Sequence, residues 1–218
     1  MPEGYDAART TEQVAFSENR FLSFKPRNAP ETFSTGLILY PGGLVPPRAY
    51  APLARELAAA GYPVWLVPMP LHLAVLGSGR AAEIIQQYPA ISHWVVGGHS
   101  LGGAMAARFA AQDEYPVKGL VLLASYPSES DSLRGENLPV LSIYGSEDGL
   151  ASPDVIRQHS ARLPEDTVYL ELQGGNHAQF GWYGQQDGDG QAKISRESQQ
   201  QQIVTGITWF LQSLEVNQ

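Results

Sequence analysis

Six aliphatic runs, separated by helical patterns, constrain this chain more than any other feature. They are Leu37-Ile38-Leu39-Tyr40, Val64-Trp65-Leu66-Val67, Trp94-Val95-Val96, Leu120-Val121-Leu122-Leu123, Val140-Leu141-Ser142-Ile143-Tyr144 and Val168-Tyr169-Leu170-Glu171-Leu172. Each has the length of a buried strand. Apolarity that continues without alternation marks strands covered on both faces, as in a parallel sheet. Between the runs, Pro47 to Ala60 places Tyr50, Leu53, Ala54, Leu57 and Ala58 on one helical face and stops at Gly61. Arg80 to Tyr88, Leu101 to Gln112, Pro153 to Leu163 (with Ser152 as N-cap) and Ile203 to Leu214 supply further helices. Ahead of them, Val14-Ala15-Phe16 and Phe21-Leu22-Ser23-Phe24 read as a hairpin of two edge strands. The expected fold is α/β, a mostly parallel eight-stranded sheet with helices on both faces.

At 218 residues, with 43% hydrophobic and 17% charged content, the chain makes one domain over 1–218 and has no room for two catalytic units. Residues 1–13 read as an N-terminal tail. A net charge of -8 argues against a nucleic-acid surface and against electrostatic docking on anionic lipid. The absence of cysteine removes disulfides, thiol nucleophiles and thiolate metal sites together. The N-terminus shows no secretory signal, and no apolar run approaches the roughly 18 residues that span a bilayer, so a cytoplasmic protein is expected. A chain trimmed of an N-terminal anchor would read the same way.

Chemistry concentrates at Gly98-His99-Ser100-Leu101-Gly102, between Trp94-Val95-Val96-Gly97 and the small-residue helix Ala104–Ala111. Strand, Gly-x-Ser-x-Gly turn and helix in succession make a nucleophile elbow, which turns a serine hydroxyl out at the top of a sheet. The competing reading is an ordinary Gly-rich turn with a bystander serine. A serine nucleophile needs a base, and the base needs a carboxylate to hold its tautomer. In a parallel sheet these groups gather at the carboxyl ends of strands. Asp148, in Tyr144-Gly145-Ser146-Glu147-Asp148, is the candidate acid; Glu147 is its near rival, and Glu129 and Asp131 are weaker ones. His177, in Gly174-Gly175-Asn176-His177, is the candidate base. His99 sits inside the elbow, His93 precedes its strand and His159 lies on a helix, while His72 is placed to line a pocket. An oxyanion requires donors. One is the amide of Leu101, and the second comes from Pro41-Gly42-Gly43-Leu44, where Gly43 and Leu44 are not separable by sequence. A phosphate cradle is the other reading of the glycine pair, but no Gly-Lys-Ser/Thr follows it.

Serine, aspartate and histidine in that order, each after its own strand, resemble the α/β-hydrolase superfamily over Val14 to Leu214. Within it the chain is similar to small esterases without a cap domain, of dienelactone-hydrolase size. The resemblance implies a catalytic set of Ser100, Asp148 and His177, an oxyanion turn at Gly42-Gly43-Leu44, and no cofactor or metal. Two departures matter: Pro41 stands where many relatives carry histidine, which leaves open what anchors the loop, and serine replaces the cysteine nucleophile typical of dienelactone hydrolases. The implied activity is hydrolysis of short-to-medium acyl esters or thioesters through an acyl-enzyme, with Met69, Leu71, His72, Tyr126, Phe180 and Trp182, alongside Leu44, as candidate pocket residues. The partner is then a small-molecule ester or thioester, and the oligomeric state stays open. Lactone or peptide hydrolysis uses the same groups. Two further alternatives are a non-catalytic binding protein on a hydrolase scaffold and a metal-dependent hydrolase using Asp187 and Asp189, whose Asp-Gly-Asp-Gly stretch lacks the fuller spacing of a calcium loop.

Overall fold

The strands cross a single sheet in the order β1-β2-β4-β3-β5-β6-β7-β8 in the computed structural model, which describes residues 2–27, 33–112 and 114–216. A short helix, α1 (Pro2–Ala7), leads into β1 (Val14–Glu18) and β2 (Leu22–Pro26), an antiparallel hairpin. β2 pairs antiparallel with β4 (Val64–Leu66), and β4 pairs parallel with β3 (Thr35–Tyr40). β5 (His93–His99), β6 (Val117–Leu123), β7 (Val140–Gly145) and β8 (Val168–Leu172) continue the parallel part. A right-handed crossover between parallel neighbours needs a covering element, and the helical segments supply it. These are α2 (Ala51–Ala59), α3 (Ala81–Gln87), α4 (Leu101–Ala110), α5 (Pro153–His159) and α6 (Arg196–Val216).

The continuous apolarity of the strands is explained by two cores, one on each face. Leu37 and Leu39 of β3 pack with Leu53 and Leu57 of α2 and with Ile203, Ile207 and Phe210 of α6. Ile38 and Tyr40, one residue out of step, pack with Ile84 of α3 and Met105 and Phe109 of α4. Successive strand side chains point to opposite faces, so both parities must be apolar.

Three expectations change in detail. β2 is interior, because β4 takes its second edge, which leaves β1 alone at that border. The expected tail contains α1, whose Gly4 and Ala7 are buried; the missing side chain of Gly4 lets the helix rest on the Arg48 carbonyl. Met1, the first residue of that tail, lies outside the described residues. The last helix begins at Arg196 rather than near Ile203. Its first two turns are Ser- and Gln-rich and carry no apolar period, yet Gln199 and Gln200 are buried through hydrogen bonds to the loop before them.

Helix α4 enters close to the ends of β3 and β5. A side chain at Gly102 would sit inside the carbonyl oxygens of Tyr40 and Pro41, which are backbone atoms with little freedom to yield. Overpacking of this kind costs about 1–3 kcal/mol, toward the upper end where the atoms met are backbone. Gly102→Ala is therefore expected to lower the urea midpoint strongly, whereas Gly79→Ala, with open space around that position, should change stability by less than about 1 kcal/mol.

Candidate active site

Ser100 joins β5 to α4 with φ 51° and ψ -122°, a left-handed backbone that an L-residue adopts only under constraint from its surroundings. Its amide donates to the Leu123 carbonyl at 2.9 Å, and its carbonyl accepts from the Ser125 hydroxyl at 2.7 Å. The turn is thus tied to the neighbouring strand on both sides. The hydroxyl opens into a cavity of about 310 Å³ lined by Ser100, Leu101, Ala104, Ala124, Ser125, Tyr126, Leu150, Ala151 and His177.

His177 follows β8 through a turn at Gly174, where φ is +77°. Its Nδ1 lies 2.8 Å from Asp148 Oδ2, and both side chains are buried. The other Asp148 oxygen accepts the amides of Leu150 at 2.8 Å and Ala151 at 2.7 Å. A carboxylate that only accepts leaves the Nδ1 proton on the ring and the lone pair on Nε2. Nε2 has no hydrogen-bond partner among the described residues, so in this structure the Ser100 hydroxyl is not bonded to it, although both groups line one cavity. Hydrogen bonds between nucleophile and base are commonly long in unliganded enzymes and tighten on substrate binding.

The rival acids are engaged elsewhere. Glu147 pairs with Lys193 Nζ at 2.9 Å, and that contact draws its carboxyl below the usual range. Asp131 takes Arg108 Nε through both oxygens, at 3.0 and 3.2 Å. Glu129 opens a short 3₁₀ turn beside it.

At the turn after β3, the Leu44 amide donates to the His72 carbonyl at 2.8 Å, the Val45 amide to Gly42 at 3.2 Å and the Gly42 amide to Tyr50 Oη at 3.0 Å. Among the described residues the Gly43 amide has no such acceptor, and Gly43 lies against the Leu101 side chain. Leu101 begins α4, so its amide lies outside the helical ladder. The Leu44 amide is thereby already engaged, while Gly43 lies beside Leu101.

Of the residues expected to form a pocket, Tyr126 alone lines the Ser100 cavity, backed by the His159 ring at 4.0 Å between centroids. Met69 and Phe180 are buried in the core, because a loop next to the sheet is also next to its apolar interior. Leu44 and Leu71 are 74% and 77% exposed, and His72 is also exposed. Trp182 borders a different hollow, with Pro46, Ala49 and Tyr183.

Sequence reasoning set His99 aside, yet it is central. It is buried, with Nδ1 2.8 Å from Tyr50 Oη, and its ring lies 4.5 Å from that of His177 and 5.4 Å from Phe180 in a stacked pair. Tyr50 therefore joins the turn at Gly42 to the residue before Ser100, a role that Pro41 cannot take. Burial raises the Tyr50 phenol well above its ordinary pKa, with a smaller contribution from Tyr183, so it stays a donor. Burial, followed by the nearby His177, pushes His99 well below the usual histidine value. Gln199 was also missed; it accepts the Asn176 amide at 3.0 Å and donates to the Asn176 carbonyl at 2.8 Å, bracing the residue before His177. In the sequence it is one letter in a Gln-rich run.

A sequence model described as "Alpha/beta hydrolase family" matches residues 36–201. The chain belongs to the alpha/beta hydrolase family. In structure the hydrolase is similar to dienelactone hydrolase from Anabaena variabilis, with a TM-score of 0.66, 14% identity, and 89% of this chain and 97% of that chain covered. It is also similar to Est1E from Butyrivibrio proteoclasticus, solved with ferulic acid bound, with a TM-score of 0.67, 11% identity, and 95% and 98% covered. A third is a carboxylesterase from Bacillus subtilis, with a TM-score of 0.59, 10% identity, and 94% and 95% covered. At these identities the likeness is one of fold. No match was found among curated proteins. No described helix of the hydrolase is long and apolar enough to cross a membrane.

The neutral His99 makes stability depend on pH. Its folded pKa lies below the unfolded value near 6.5, so as pH falls below about 6.5 the unfolded chain takes up a proton that the folded one refuses. Stability is complete above that pH and is lost below it, with a slope of up to about 1.4 kcal/mol per pH unit from this group. Urea titrations between pH 7.5 and 5 should show this slope in the wild type and its reduction in His99→Gln.

Proposed function

We propose that this hydrolase cleaves carboxylic esters or thioesters of short-to-medium acyl chains through an acyl-enzyme on Ser100. One observation carries the reading: a buried imidazole, held through Nδ1 by a buried carboxylate, has its Nε2 unpaired and shares a cavity with a serine on a strained elbow. In the proposed reaction Nε2 of His177 takes the Ser100 hydroxyl proton as the oxygen attacks the acyl carbon. The resulting oxyanion accepts from the amides of Leu101 and Gly43. His177 returns the proton to the leaving alcohol or thiol, and the acyl group stays on Ser100. A water then attacks the acyl carbon, gives its proton to Nε2, and the acid leaves as the serine recovers its hydrogen. Asp148 stays ionised throughout and orients the ring.

The wall of the cavity supports the choice of substrate. Leu101, Ala104, Ala124, Tyr126, Leu150 and Ala151 offer mainly hydrocarbon, which suits an acyl chain better than a charged peptide segment. The short connection at 125–138 carries no inserted domain, so an extended leaving group meets open rim. A carboxylesterase and a dienelactone hydrolase share the fold, which is consistent with acyl chemistry on it.

A fluorophosphonate probe should label wild-type protein at Ser100 and leave Ser100→Ala unlabelled. On p-nitrophenyl esters from acetate to laurate, kcat/KM should peak at short-to-medium chains, and Ser100→Ala should lose at least about 10,000-fold. Absence of labelling, with esters bound but not turned over, would make the protein a binding module instead.

A further inference from the structure

Asp189 stands in the Asp-Gly-Asp-Gly stretch that suggests a metal ligand by sequence, and its surroundings suit a different task. Oδ1 accepts from the amides of Gly149 at 3.2 Å, His177 at 3.1 Å and Gly190 at 2.8 Å, and Oδ2 accepts from Ala178 at 2.8 Å. Both oxygens therefore face N–H donors, which a cation would have to displace. Asp187, two residues earlier, is exposed. Among the described residues no group of three or more His, Cys, Asp or Glu is arranged to hold a metal ion.

The four amides belong to three segments. Gly149 follows the acid Asp148, His177 and Ala178 are the base and its successor, and Gly190 belongs to the loop that carries Asp189. That loop is pressed against the acid loop without room for side chains: a Cβ at Gly149 would meet the main chain of residues 188–190, and a Cβ at Gly190 would overlap the Glu147 carbonyl. Asn176 Nδ2 donates to the Gly190 carbonyl at 2.8 Å, and Lys193 and Ile194 donate amides to Gly174 at 2.7 and 3.3 Å. The segment thus closes over the base loop from Gly174 to Ala178. Asp148 holds the ring of His177, while Asp189 holds its backbone.

We propose that Asp189 is a positioning residue, which fixes the acid and base loops at the separation that keeps His177 Nε2 aimed at Ser100. This rests on the serine-hydrolase reading above. A carboxylate that accepts from both loops at once leaves neither free to withdraw, and no side chain in contact with the substrate is needed for that.

Three variants test it on p-nitrophenyl butyrate: Asp189→Ala, the isosteric Asp189→Asn, and Asp187→Asn as the exposed neighbour. Active sites are counted by fluorophosphonate titration, so that kcat is expressed per competent site. Asp189→Ala should lower kcat per site about 10- to 100-fold with KM within about twofold. Asp189→Asn, which keeps one acceptor oxygen, should fall between it and the wild type, and Asp187→Asn should match the wild type. Amide exchange at Gly149, His177 and Ala178 should accelerate in Asp189→Ala while the β3 and β5 amides keep their protection. Should Asp189→Ala fail to fold, Asp189→Asn carries the test, with a reduced kcat per site at unchanged KM as the supporting result. A kcat per site at the wild-type level, a loss confined to the number of competent sites, or unchanged exchange at the three amides would overturn the assignment. A wild type that neither turns over nor labels would instead fail the hydrolase reading, which the exchange measurement does not depend on.

Discussion

The close approach of α4 to the ends of β3 and β5 is the constraint on which the rest of the molecule turns. A serine hydroxyl can be pushed out above a sheet only if the chain reverses sharply between strand and helix, and that brings two backbones together where side chains would normally stand. Gly98 faces the backbone of Gly102 and Gly103, and Gly102 faces that of Tyr40 and Pro41. With the elbow in place, α4 begins beside the cavity that Leu101 and Ala104 line, and the helix brings its positive end there. Six neighbouring parallel strands, β4-β3-β5-β6-β7-β8, then bring the turns after β3, β5, β7 and β8 to one rim. Topology thereby brings Gly43 against Leu101 and His177 into the cavity of Ser100, although they stand far apart in sequence.

The second organising element is a run of polar groups inside an aromatic cluster. The Gly42 amide donates to Tyr50 Oη, and Tyr50 in turn donates to His99 Nδ1. This direction gives the phenol proton and the Nδ1 lone pair a partner each, whereas the reverse would leave the buried phenol proton without one. His99 must then carry its own proton on Nε2, which faces the main chain of His177 without a hydrogen bond of good geometry. Phe180, Tyr183 and His177 surround the ring, so charging it would bury a cation away from water. A neutral imidazole is what lets the Gly42 turn, the Ser100 elbow and the His177 loop share one small volume. It also explains how a turn that begins with Pro41 stays in place.

The fold was legible in the sequence because buried strands must be apolar on both faces, and few other elements produce such runs at that length. The convergence of Ser100, Asp148 and His177 on one cavity was legible for a related reason: each follows a strand in a turn containing or next to glycine. The pocket was much less so. Met69 and Phe180 are as apolar as a pocket wall would be, but they face the core, and periodicity gives no direction to a side chain in a loop. Leu44 and Leu71 point to solvent from left-handed backbone that no propensity scale anticipates. Tyr50 was read as a core position on a helix, correctly as to burial, while its hydroxyl carries the contact that matters. Gln199 and Asp189 act on backbone amides of distant segments, and such bonds leave no pattern in the local sequence.

Backbone strain is confined to a few turns. Among the described residues the non-glycine positions with positive φ are Leu44, Leu71, His72, Ser100 and Ala124. Each conformation of this kind costs on the order of 1–3 kcal/mol and persists only where the surroundings overdetermine it. Leu44 lies in the turn after β3, and its amide is held by the carbonyl of His72, which follows Leu71 directly. Ser100 forms the elbow, and Ala124 lines its cavity at the end of β6, with its amide donating to Ile143 at 2.7 Å. Ser100 and Ala124 thus line the cavity, Leu44, Leu71 and His72 form a separate pair of linked turns, and none of the five lies within a regular strand or α-helix. Strain gathered this way has to be balanced by the two apolar cores, since a loop left to itself would relax to ordinary backbone angles. The Leu44–His72 bond illustrates the return: two strained turns hold each other, occupy the Leu44 amide, and leave the Gly43 amide as the unpaired donor beside Leu101.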